Sequence, residues 1–265
     1  MISGKTKVVV HLAHPADHLR TPSFFNSRVR ERGYDMVLVP WDVAPGDLSK
    51  AWEALKQVNN LAGVVVTIPH KEAIAHLCQS LEDEAREMGV CNVARRSTDG
   101  NFHGAMFDGL GFLKGLRAQG HNPKGKNVLL VGAGGAAKAI AHALAGSGVN
   151  QLRLANRTQA RAEALAAQIR LRFPTLDIEA SPADVNNMDF IINGTSLGMH
   201  NDDPLPVPIE IIKPGMIVAE VIMQPDETLL LKQAKYIGAV AHRGVHMIAN
   251  QIDLIIDHLT YQPKQ

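Results

Sequence analysis

Lys71 and Asp108 are the two side chains whose types and positions best suit chemistry. Lys71 ends the run Thr67–Lys71 (Thr-Ile-Pro-His-Lys), which follows the very apolar stretch Gly63–Val66, and Asp108 opens a predicted helix further along the chain. Residues at the ends of such elements are held by rigid backbone and can point into a cleft. Oxidation of an alcohol requires a group that accepts the hydroxyl proton while hydride leaves carbon, and a lysine amine oriented by a carboxylate can do this.

The behaviour of a lysine in this role depends on its surroundings. A lysine amine serves as a base when desolvation favours its neutral form, whereas a nearby carboxylate orients the amine and stabilises the ammonium. In the direction of reduction the ammonium is the proton donor, so we expect Lys71 and Asp108 to work as a coupled pair. The alternative for Lys71 is an ordinary surface lysine at a helix start, where the helix dipole does not favour a cation.

The composition is that of an ordinary globular chain. Its 265 residues suffice for one large domain or two of average size, and 46% of them are hydrophobic. The net charge of +1 implies neither nucleic acid nor an anionic membrane as a partner. No apolar run reaches the ~18–20 residues of a transmembrane helix, and the first residues lack the apolar core of a signal peptide. Cys78 and Cys91 are not spaced as a metal or redox motif, so we expect free thiols, no metal site and a cytoplasmic location.

The first part of the chain alternates strand-like and helix-like segments. The runs rich in β-branched residues that predict strands are Val8–Val10, Met36–Val39 and Val64–Val66. Segments with helical spacing, such as Asp47–Asn60, lie between them, and this alternation favours βαβ units with mostly parallel sheets. The stretch Cys91–His103 breaks the rhythm and contains a turn, Ser97–Gly100, between two short extended pieces.

The second part of the chain repeats the alternation after a loop at Gly120–Gly125. Helices are predicted from Asp108 to about Gln119 and, with one broad apolar face, over Val245–Leu259. The predicted strands are Val128–Val131, Leu152–Ala155, Ile178–Ala180, Phe190–Ile192 and Ile217–Val221. We therefore expect an α/β fold with two domains and a small-molecule site in the cleft between them. Residues 1–103 plus 243–265 form the substrate-binding domain, to which the C-terminal helix returns, and residues 104–242 form a doubly wound dinucleotide-binding (Rossmann) domain.

A glycine-rich loop, Gly132–Ala137, stands between a predicted strand and a predicted helix, which is the context that dinucleotide sites require. Gly132 allows the tight turn, Gly134 lets the backbone approach a pyrophosphate, and Ala137 is small enough for close packing of helix and strand. The unpaired N–H groups of the helix start then face the phosphates. The loop residues that we expect to hold the cofactor are Gly132, Ala133, Gly134, Gly135 and Ala136. The alternative is a purely structural turn.

The end of the next strand indicates which dinucleotide binds. NAD sites carry an acid there for the ribose hydroxyls, but this strand ends Ala155-Asn156-Arg157-Thr158, with Arg161 beyond it. Arg157 and Arg161 can bind a 2′-phosphate, and Thr158 can donate a hydrogen bond to it. We therefore expect NADP rather than NAD, with Asn156 also at the site. The alternative is that the two arginines belong to a solvated helix start.

With these motifs in this order, the chain resembles the shikimate dehydrogenase family, which also contains quinate/shikimate dehydrogenases, over nearly its whole length. The opening Ile2–Thr6 is similar to the start of many members, and Val66–Lys71 matches the family's strand–Pro–x–Lys motif. The other matching segments are Gly89–Asn92, Asp108–Phe112, the glycine-rich loop, Asn156–Thr158, Asn193–Met199 and Gly244–Met247 with Gln251. The resemblance implies hydride transfer between NADP and shikimate, or a closely related cyclic polyol carboxylate, which is oxidised to its 3-dehydro ketone.

The resemblance also implies roles for single residues. It makes Lys71 and Asp108 the catalytic pair. The substrate ligands that it implies are Thr21, Thr67, Asn92 and Gln251, and amide and hydroxyl side chains suit the hydroxyls of a polyol ring. The residues that it places near the nicotinamide are Asn193, Thr195 and Met199.

Several positions depart from the family pattern, all where the substrate is expected. The family carries Ser-x-Ser-Pro in its first loop for the substrate carboxylate, whereas this chain has Leu19-Arg20-Thr21-Pro22, and Leu19 cannot donate a hydrogen bond. Arg20 or His18 either supplies a replacement contact or is a solvated loop side chain. The other replaced positions are Met106 and Phe107 in place of Asn-Thr before the aspartate, Met223 in place of a tyrosine and His246 in place of a glycine. This pattern favours unchanged chemistry on an altered substrate.

The sequence thus leaves three functions open. The first is NADP-linked interconversion of shikimate and its 3-dehydro ketone, and the second is the same chemistry on quinate, an aminoshikimate-like compound or another substrate. The third is a non-catalytic ligand-binding module, against which the Lys71–Asp108 pair argues because a binder needs no proton relay. The expected partner is a small molecule, not nucleic acid or a membrane, and the expected assembly is a monomer or homodimer.

Overall fold

The computed structural model describes residues 2–261 and divides the chain into two compact units. Unit 1 contains the described residues up to Phe107 and those from Gln251 onward, and unit 2 contains Asp108–Asn250. The expected domain boundaries, after residues 103 and 242, fall somewhat before these two points. Among the described helices, none is long and apolar enough to cross a membrane.

Unit 1 is built on a six-stranded sheet with the strand order β2-β1-β3-β5-β6-β4. Its strands are β1 (Lys7–Ala13), β2 (Met36–Asp42), β3 (Leu61–Val66), β4 (Ser80–Leu81), β5 (Val93–Arg96) and β6 (Phe102–Ala105). Its helices are α1 (Thr21–Glu31), α2 (Leu48–Lys56), α3 (Lys71–Leu77) and α4 (Asp83–Met88), and the end of the last helix, α9 (Val245–Thr260), also belongs to it. Neighbouring strands are parallel except for β5, which is antiparallel to β3 and β6. The predicted turn at Ser97–Gly100 joins β5 to β6.

The core of unit 1 forms because apolar residues cover the central strands and one face of each helix. In α2 the buried residues Leu48, Trp52 and Leu55 recur at helical spacing. Trp52 packs on Phe102 of β6 with ring centroids 4.3 Å apart. Full burial of a large apolar side chain stabilises the fold by ~1.5–3 kcal/mol.

Gly63 of β3 allows a close approach of α9. A Cβ at this position would lie 2.6 Å from Leu259 Cδ2 and 2.3 Å from the carbonyl oxygen of Ala94. The C-terminal part of α9 can therefore pack on β3 only because position 63 has no side chain.

Unit 2 is a second six-stranded sheet, with the order β12-β11-β10-β7-β8-β9 and all neighbours parallel. Its strands are β7 (Asn127–Val131), β8 (Gln151–Ala155), β9 (Asp177–Ala180), β10 (Phe190–Asn193), β11 (Ile217–Glu220) and β12 (Val240–His242). Its helices are α5 (Asp108–Ala118), α6 (Gly135–Gly146), α7 (Gln159–Arg172), α8 (Leu229–Ile237) and the start of α9. The chain moves outward from β7 to β9 and then returns to β10 on the other side of β7. This reversal creates a switch point, and ligands bind beside the carboxyl ends of strands at such points.

Helices α5 and α6 of unit 2 pack unusually closely. A Cβ at Gly109 would lie 2.1 Å from the carbonyl oxygen of Ala139 and 2.9 Å from the Cβ of Ala143. Small residues on both helices therefore bring the two backbones together. The α/β fold with mostly parallel sheets that the sequence predicts is confirmed.

The structure differs from the sequence prediction in a few elements. Strands β4 and β12 were not predicted, because two or three residues are too few to show an alternating pattern. The helix expected over Asp47–Asn60 is shorter, since a 3-10 turn, Pro45–Asp47, precedes α2 and Asn60 pairs with the sheet. The carbonyl oxygen of Asn60 accepts a hydrogen bond from Val8 N at 2.9 Å.

Candidate functional site

The glycine-rich loop joins β7 to α6 in unit 2. Gly132 has a φ of 118°, a conformation that favours glycine, and a Cβ there would lie 3.0 Å from the carbonyl oxygen of Gly194. Gly134 is extended and precedes α6, and a Cβ placed on it would meet no heavy atom of the described chain within 4 Å. The loop therefore leaves open space beside Gly134, where a ligand can approach the backbone.

The start of α6 lies directly behind this loop. Ala133 and Ala137 are buried, and a Cβ at Gly194 would lie 3.0 Å from the Cβ of Ala137. Gly135 and Ala136 form the first turn of the helix. First-turn N–H groups have no partner within a helix, so this turn presents hydrogen-bond donors and a positive dipole end to an anion.

A cleft of about 730 Å³ lies beside the ends of β7, β8 and β9 in unit 2. The predicted cofactor residues that line it are Asn156, Arg157, Thr158, Arg161 and Thr195. Asn156 Nδ2 donates a hydrogen bond to the carbonyl oxygen of Thr158 at 2.9 Å, which orders the turn before α7. No carboxylate side chain occurs among the described residues that line this cleft.

These features fit NADP. The backbone at Gly134 is open to an approaching ligand, and the cleft volume is typical of small-molecule sites. Arg157 and Arg161 are exposed and line the cleft, and guanidinium groups are well suited to bind phosphate. An acid that would instead bind the ribose hydroxyls of NAD is missing from this lining.

Asn193 ends β10 and organises the loop that follows it. Its side chain is fully buried, and Oδ1 accepts hydrogen bonds from Thr195 N at 3.0 Å and Thr195 Oγ1 at 2.6 Å. Asn193 Nδ2 donates to the carbonyl oxygen of Leu197 at 2.9 Å. The amide of Asn193 thus holds the loop, while Thr195 lines the cleft and Met199 is half-buried.

Glu220, at the end of β11, is a buried acid beside Asn193. Thr228 Oγ1 lies 2.7 Å and 2.8 Å from its two carboxylate oxygens, and Asn193 Nδ2 lies 3.5 Å from Oε1. Burial raises the pKa of Glu220 to about 7, although the hydrogen bonds from Thr228 and Asn193 act in the opposite direction. The sequence prediction missed Glu220, although an acidic residue at the end of an apolar strand could have indicated it.

Lys71 is the first residue of α3 in unit 1, shortly after the end of β3. Its carbonyl oxygen accepts a hydrogen bond from Cys91 N at 3.1 Å, and the carbonyl oxygen of Thr67 accepts one from His70 N at 2.9 Å. The backbone on both sides of the turn is therefore fixed. The ring of His70 is buried with Nε2 2.7 Å from the carbonyl oxygen of Val43, and burial lowers the pKa of His70.

His11 of β1 lies within the electrostatic influence of Lys71. Burial, the Lys71 ammonium and His18, in that order, lower the pKa of His11 to about 3, so its ring is neutral near pH 7. Within residues 2–261, Nδ1 of His11 has no hydrogen-bond partner. The sequence prediction missed His11, although a histidine within an apolar strand was a visible signal.

Two of the predicted substrate ligands, Asn92 and Gln251, contact each other in unit 1. Both side chains are buried, and Asn92 Nδ2 donates to Gln251 Oε1 at 3.0 Å. Asn92 Oδ1 accepts a hydrogen bond from Phe107 N at 3.0 Å. The carbonyl oxygen of Asn92 also accepts one from Val66 N at 2.8 Å, so Asn92 lies beside the end of β3, where Thr67 follows.

The remaining predicted residues of unit 1 lie at the start of α1 or just before it. Thr21 is the first residue of α1 and is buried, whereas Arg20 is exposed and Leu19 is half-buried. His18 is half-buried, with Nδ1 3.9 Å from Asp17 Oδ1. Of the two positions where the family carries serine, position 21 keeps a hydroxyl group and position 19 does not.

Asp108 lies in unit 2, where it is the buried first residue of α5. Lys71 lies in unit 1, so their pairing stays a prediction. Met223 and His246, which depart from the family pattern, are both half-buried in unit 2. The ring of His246 packs against that of His242, with centroids 4.8 Å apart.

A doubly wound parallel sheet with a glycine-rich loop at its switch point defines a dinucleotide-binding α/β protein, and the acid-free arginine cleft places it with the NADP-linked oxidoreductases. Two family models match the chain. The shikimate dehydrogenase substrate binding domain matches residues 12–94, and shikimate/quinate 5-dehydrogenase matches residues 116–200. The chain belongs to the shikimate dehydrogenase family, as the resemblance implied.

Similar proteins span nearly the whole chain. The NADP(+)-dependent shikimate dehydrogenase of Acidiphilium cryptum (strain JF-5) is 38% identical over 251 residues, which cover 95% of this chain and 89% of that protein. A crystal structure of a shikimate dehydrogenase in complex with NADP+ has a TM-score of 0.89 at 32% identity and covers 98% of this chain and 92% of its own. The ligand-free 5-ketofructose reductase of Gluconobacter sp. strain CHM43 has a TM-score of 0.83 at 28% identity, with coverage of 97% and 94%.

Proposed function

We propose that the chain catalyses the NADP-linked interconversion of shikimate, or of a closely related cyclic polyol carboxylate, and its 3-dehydro ketone. The observation that carries this proposal is the arginine-lined, acid-free cleft of unit 2 in a member of the shikimate dehydrogenase family. The NADP(+)-dependent relative from Acidiphilium cryptum and the solved NADP+ complex support the same cofactor and substrate class.

The proposed mechanism assigns proton transfer to the chain's own side chains. Lys71 Nζ accepts the proton of the reacting hydroxyl during oxidation and returns it during reduction, and the carboxylate of Asp108 orients the amine. Bound NADP+ supplies the hydride acceptor. The hydroxyl and amide groups of Thr67, Asn92 and Gln251 bind the substrate ring and hold the reacting carbon in place. Such positioning of the reacting groups supplies much of the rate enhancement.

The proposed substrate pocket differs from that of the family at positions that carry hydrogen bonds. Leu19 stands at a serine position and Phe107 at a threonine position, so two hydroxyls are missing. Each lost hydrogen bond to a charged or hydroxyl group costs ~1.5–3 kcal/mol, which is roughly 10- to 150-fold in affinity. We therefore expect a higher KM for shikimate than in a pocket with the full set of hydroxyls.

A second candidate is the reduction of a sugar ketone without a carboxylate. The loss of the family serine at Leu19 favours it, because that serine contacts the substrate carboxylate in the family pattern. The similar 5-ketofructose reductase acts on such a ketose. Quinate and aminoshikimate-like compounds are the remaining alternatives among cyclic carboxylates.

We also propose that the protein works in the cytoplasm and that it is a monomer or a homodimer. Light scattering on the purified protein measures its oligomeric state.

The purified protein should be tested with a small substrate panel. Reduction of NADP+ is followed at 340 nm with shikimate and with quinate, and oxidation of NADPH with 5-ketofructose. The proposal expects the highest kcat/KM with shikimate or quinate. Turnover of 5-ketofructose alone would establish the second candidate, and NADP binding without turnover of any compound would favour a non-catalytic module.

A further inference from the structure

Unit 1 contains a second pocket, which we call the α9 pocket, with a volume of about 470 Å³. It lies between the C-terminal part of α9 and the strands β4 to β6. The residues that line it and that matter below are Leu81, Glu82, Arg95, Phe107, His258 and Tyr261. Apart from Phe107, which stands at a replaced position of the proposed substrate pocket, none of them is a predicted catalytic or substrate-binding residue.

Arg95 gives this pocket a positive charge that no carboxylate of residues 2–261 neutralises in an ion pair. Its guanidinium carbon lies over the ring of Tyr261, 5.4 Å from the centroid. Within residues 2–261, its buried Nε–H has no hydrogen-bond acceptor. A carboxylate bound in the pocket could instead form a charge-assisted hydrogen bond with the guanidinium group of Arg95, which lines it.

The two acids that line the pocket each have a partner other than Arg95. Glu82 Oε1 lies 3.1 Å from His258 Nδ1, and Asp257 Oδ1 accepts a hydrogen bond from Arg32 Nη2 at 2.6 Å. Within residues 2–261, neither carboxylate forms an ion pair with Arg95. The side of the pocket that Arg95 lines is accordingly suited to a negative group.

The rest of the lining is apolar and aromatic. Phe107 meets the ring of His258 edge-on, with centroids 5.8 Å apart, and Leu81 and Tyr261 complete the wall. Aromatic rings bind flat apolar groups by stacking or edge contacts. A single guanidinium beside aromatic walls is complementary to a planar apolar body that carries one carboxylate.

The α9 pocket is separate from the predicted catalytic lysine. In the sheet, Arg95 of β5 lies opposite Gly63, near the start of β3, whereas Lys71 follows the end of β3. Phe107, however, connects the two regions, because its N–H donates to Asn92 Oδ1. A ligand packed on Phe107 thus lies close to a predicted substrate ligand without occupying its place.

We propose that the α9 pocket binds a small organic monocarboxylate with a planar apolar body, with the carboxylate on Arg95 and the body against Phe107 and Tyr261. This inference does not require the proposed reaction, although Phe107 borders both the α9 pocket and the proposed substrate pocket. It gives the protein a second small-molecule site whose occupant needs no hydroxyl groups, unlike the substrate.

Benzoate is the simplest probe, and saturation-transfer NMR on the intact protein measures its affinity. Saturable binding is expected for the wild-type protein, with benzyl alcohol at least ten-fold weaker. Arg95→Gln should weaken benzoate binding roughly 10- to 100-fold, since it removes a charge-assisted hydrogen bond. Leu254 also lines the pocket. Leu254→Trp, which fills the pocket but keeps Arg95, should weaken benzoate binding similarly, and both variants should keep the wild-type rate with shikimate.

Two matched variants separate this site from others. Arg86→Gln removes an exposed arginine of the same unit, which pairs with Asp83, and should leave benzoate affinity unchanged. Thr21→Val removes a predicted ligand of the substrate carboxylate and should also leave it unchanged. The proposal is overturned if wild-type protein shows no saturable binding, or if Thr21→Val rather than Arg95→Gln abolishes it, because benzoate would then bind only in the substrate pocket.

Discussion

Replacement of Arg157 by glutamine should change cofactor selectivity and little else. Arg157 follows the end of β8 and lines the cleft of unit 2, so the proposed function places its guanidinium on the 2′-phosphate of NADP. A hydrogen bond to a charged group is worth ~1.5–3 kcal/mol. Because Arg157 is exposed to solvent, screening favours the lower end of that range, about 1.5–2 kcal/mol.

This free energy corresponds to a fall of roughly 10- to 30-fold in kcat/KM for NADP+ in Arg157→Gln. NAD+ has no 2′-phosphate, so its kcat/KM should stay within about two-fold of the wild-type value. The assay is the initial rate of cofactor reduction at 340 nm with saturating substrate, for each cofactor at low and high salt. The advantage of NADP+ over NAD+ should also shrink as ionic strength rises, since exposed charges are screened.

Arg117→Gln is the matched control, because Arg117 is an exposed arginine in the last turn of α5 and does not line the cleft. It should leave both kcat/KM values unchanged. An equal fall for NADP+ and NAD+ in Arg157→Gln would show that Arg157 serves the loop or helix rather than the 2′-phosphate. No fall for either cofactor would place the 2′-phosphate elsewhere.

Two further predictions concern stability. Burial raises the pKa of Glu220 from 4.5 to about 7, so the folded state binds the carboxyl proton more tightly than the unfolded state does. The stability that protonated Glu220 contributes is therefore lost as the pH rises from 4.5 to about 7. The free energy of unfolding of the wild type relative to Glu220→Gln should therefore fall by about 2–3 kcal/mol from pH 5 to pH 8, as measured by urea unfolding, and a pH-independent difference would refute the raised pKa. Gly109→Ala should destabilise the protein by ~1–3 kcal/mol, because its Cβ would lie 2.1 Å from the carbonyl oxygen of Ala139. Gly46→Ala, which meets nothing within 4 Å, should change stability by less than about 0.5 kcal/mol, and equal effects of the two would contradict the close packing of α5 on α6.

Much of the fold was predictable because the sequence carries strong local patterns. Apolar β-branched runs such as Val64–Val66 specify buried strands, and helical spacing specifies the helices between them. The antiparallel strand β5 could be anticipated in part, since the turn at Ser97–Gly100 lies between two extended pieces. The short strands β4 and β12 form because neighbouring strands offer backbone partners, which depends on tertiary structure and leaves little trace in sequence.

The cofactor class was also predictable, because a glycine-rich loop and an acid-free strand end are local features of Gly132–Ala137 and Asn156–Arg161. Other features depend on contacts between distant segments. The sequence alone gives no means to see that Asn92 bonds to Gln251, that Glu220 is buried beside Asn193, or that Arg95 lacks an acceptor. Such properties follow from burial and from partners far away in the chain.

The central claim is that Lys71 transfers the proton of the reacting hydroxyl, and the turnover of Lys71→Ala tests it most directly. General acid–base catalysis contributes roughly 10²- to 10⁴-fold to a rate, so kcat for NADP+ reduction by shikimate should fall by that factor. The affinity for NADP+, measured by calorimetry, should not change, because Lys71 belongs to unit 1 and the cofactor cleft to unit 2. A variant that keeps the wild-type kcat would contradict the account.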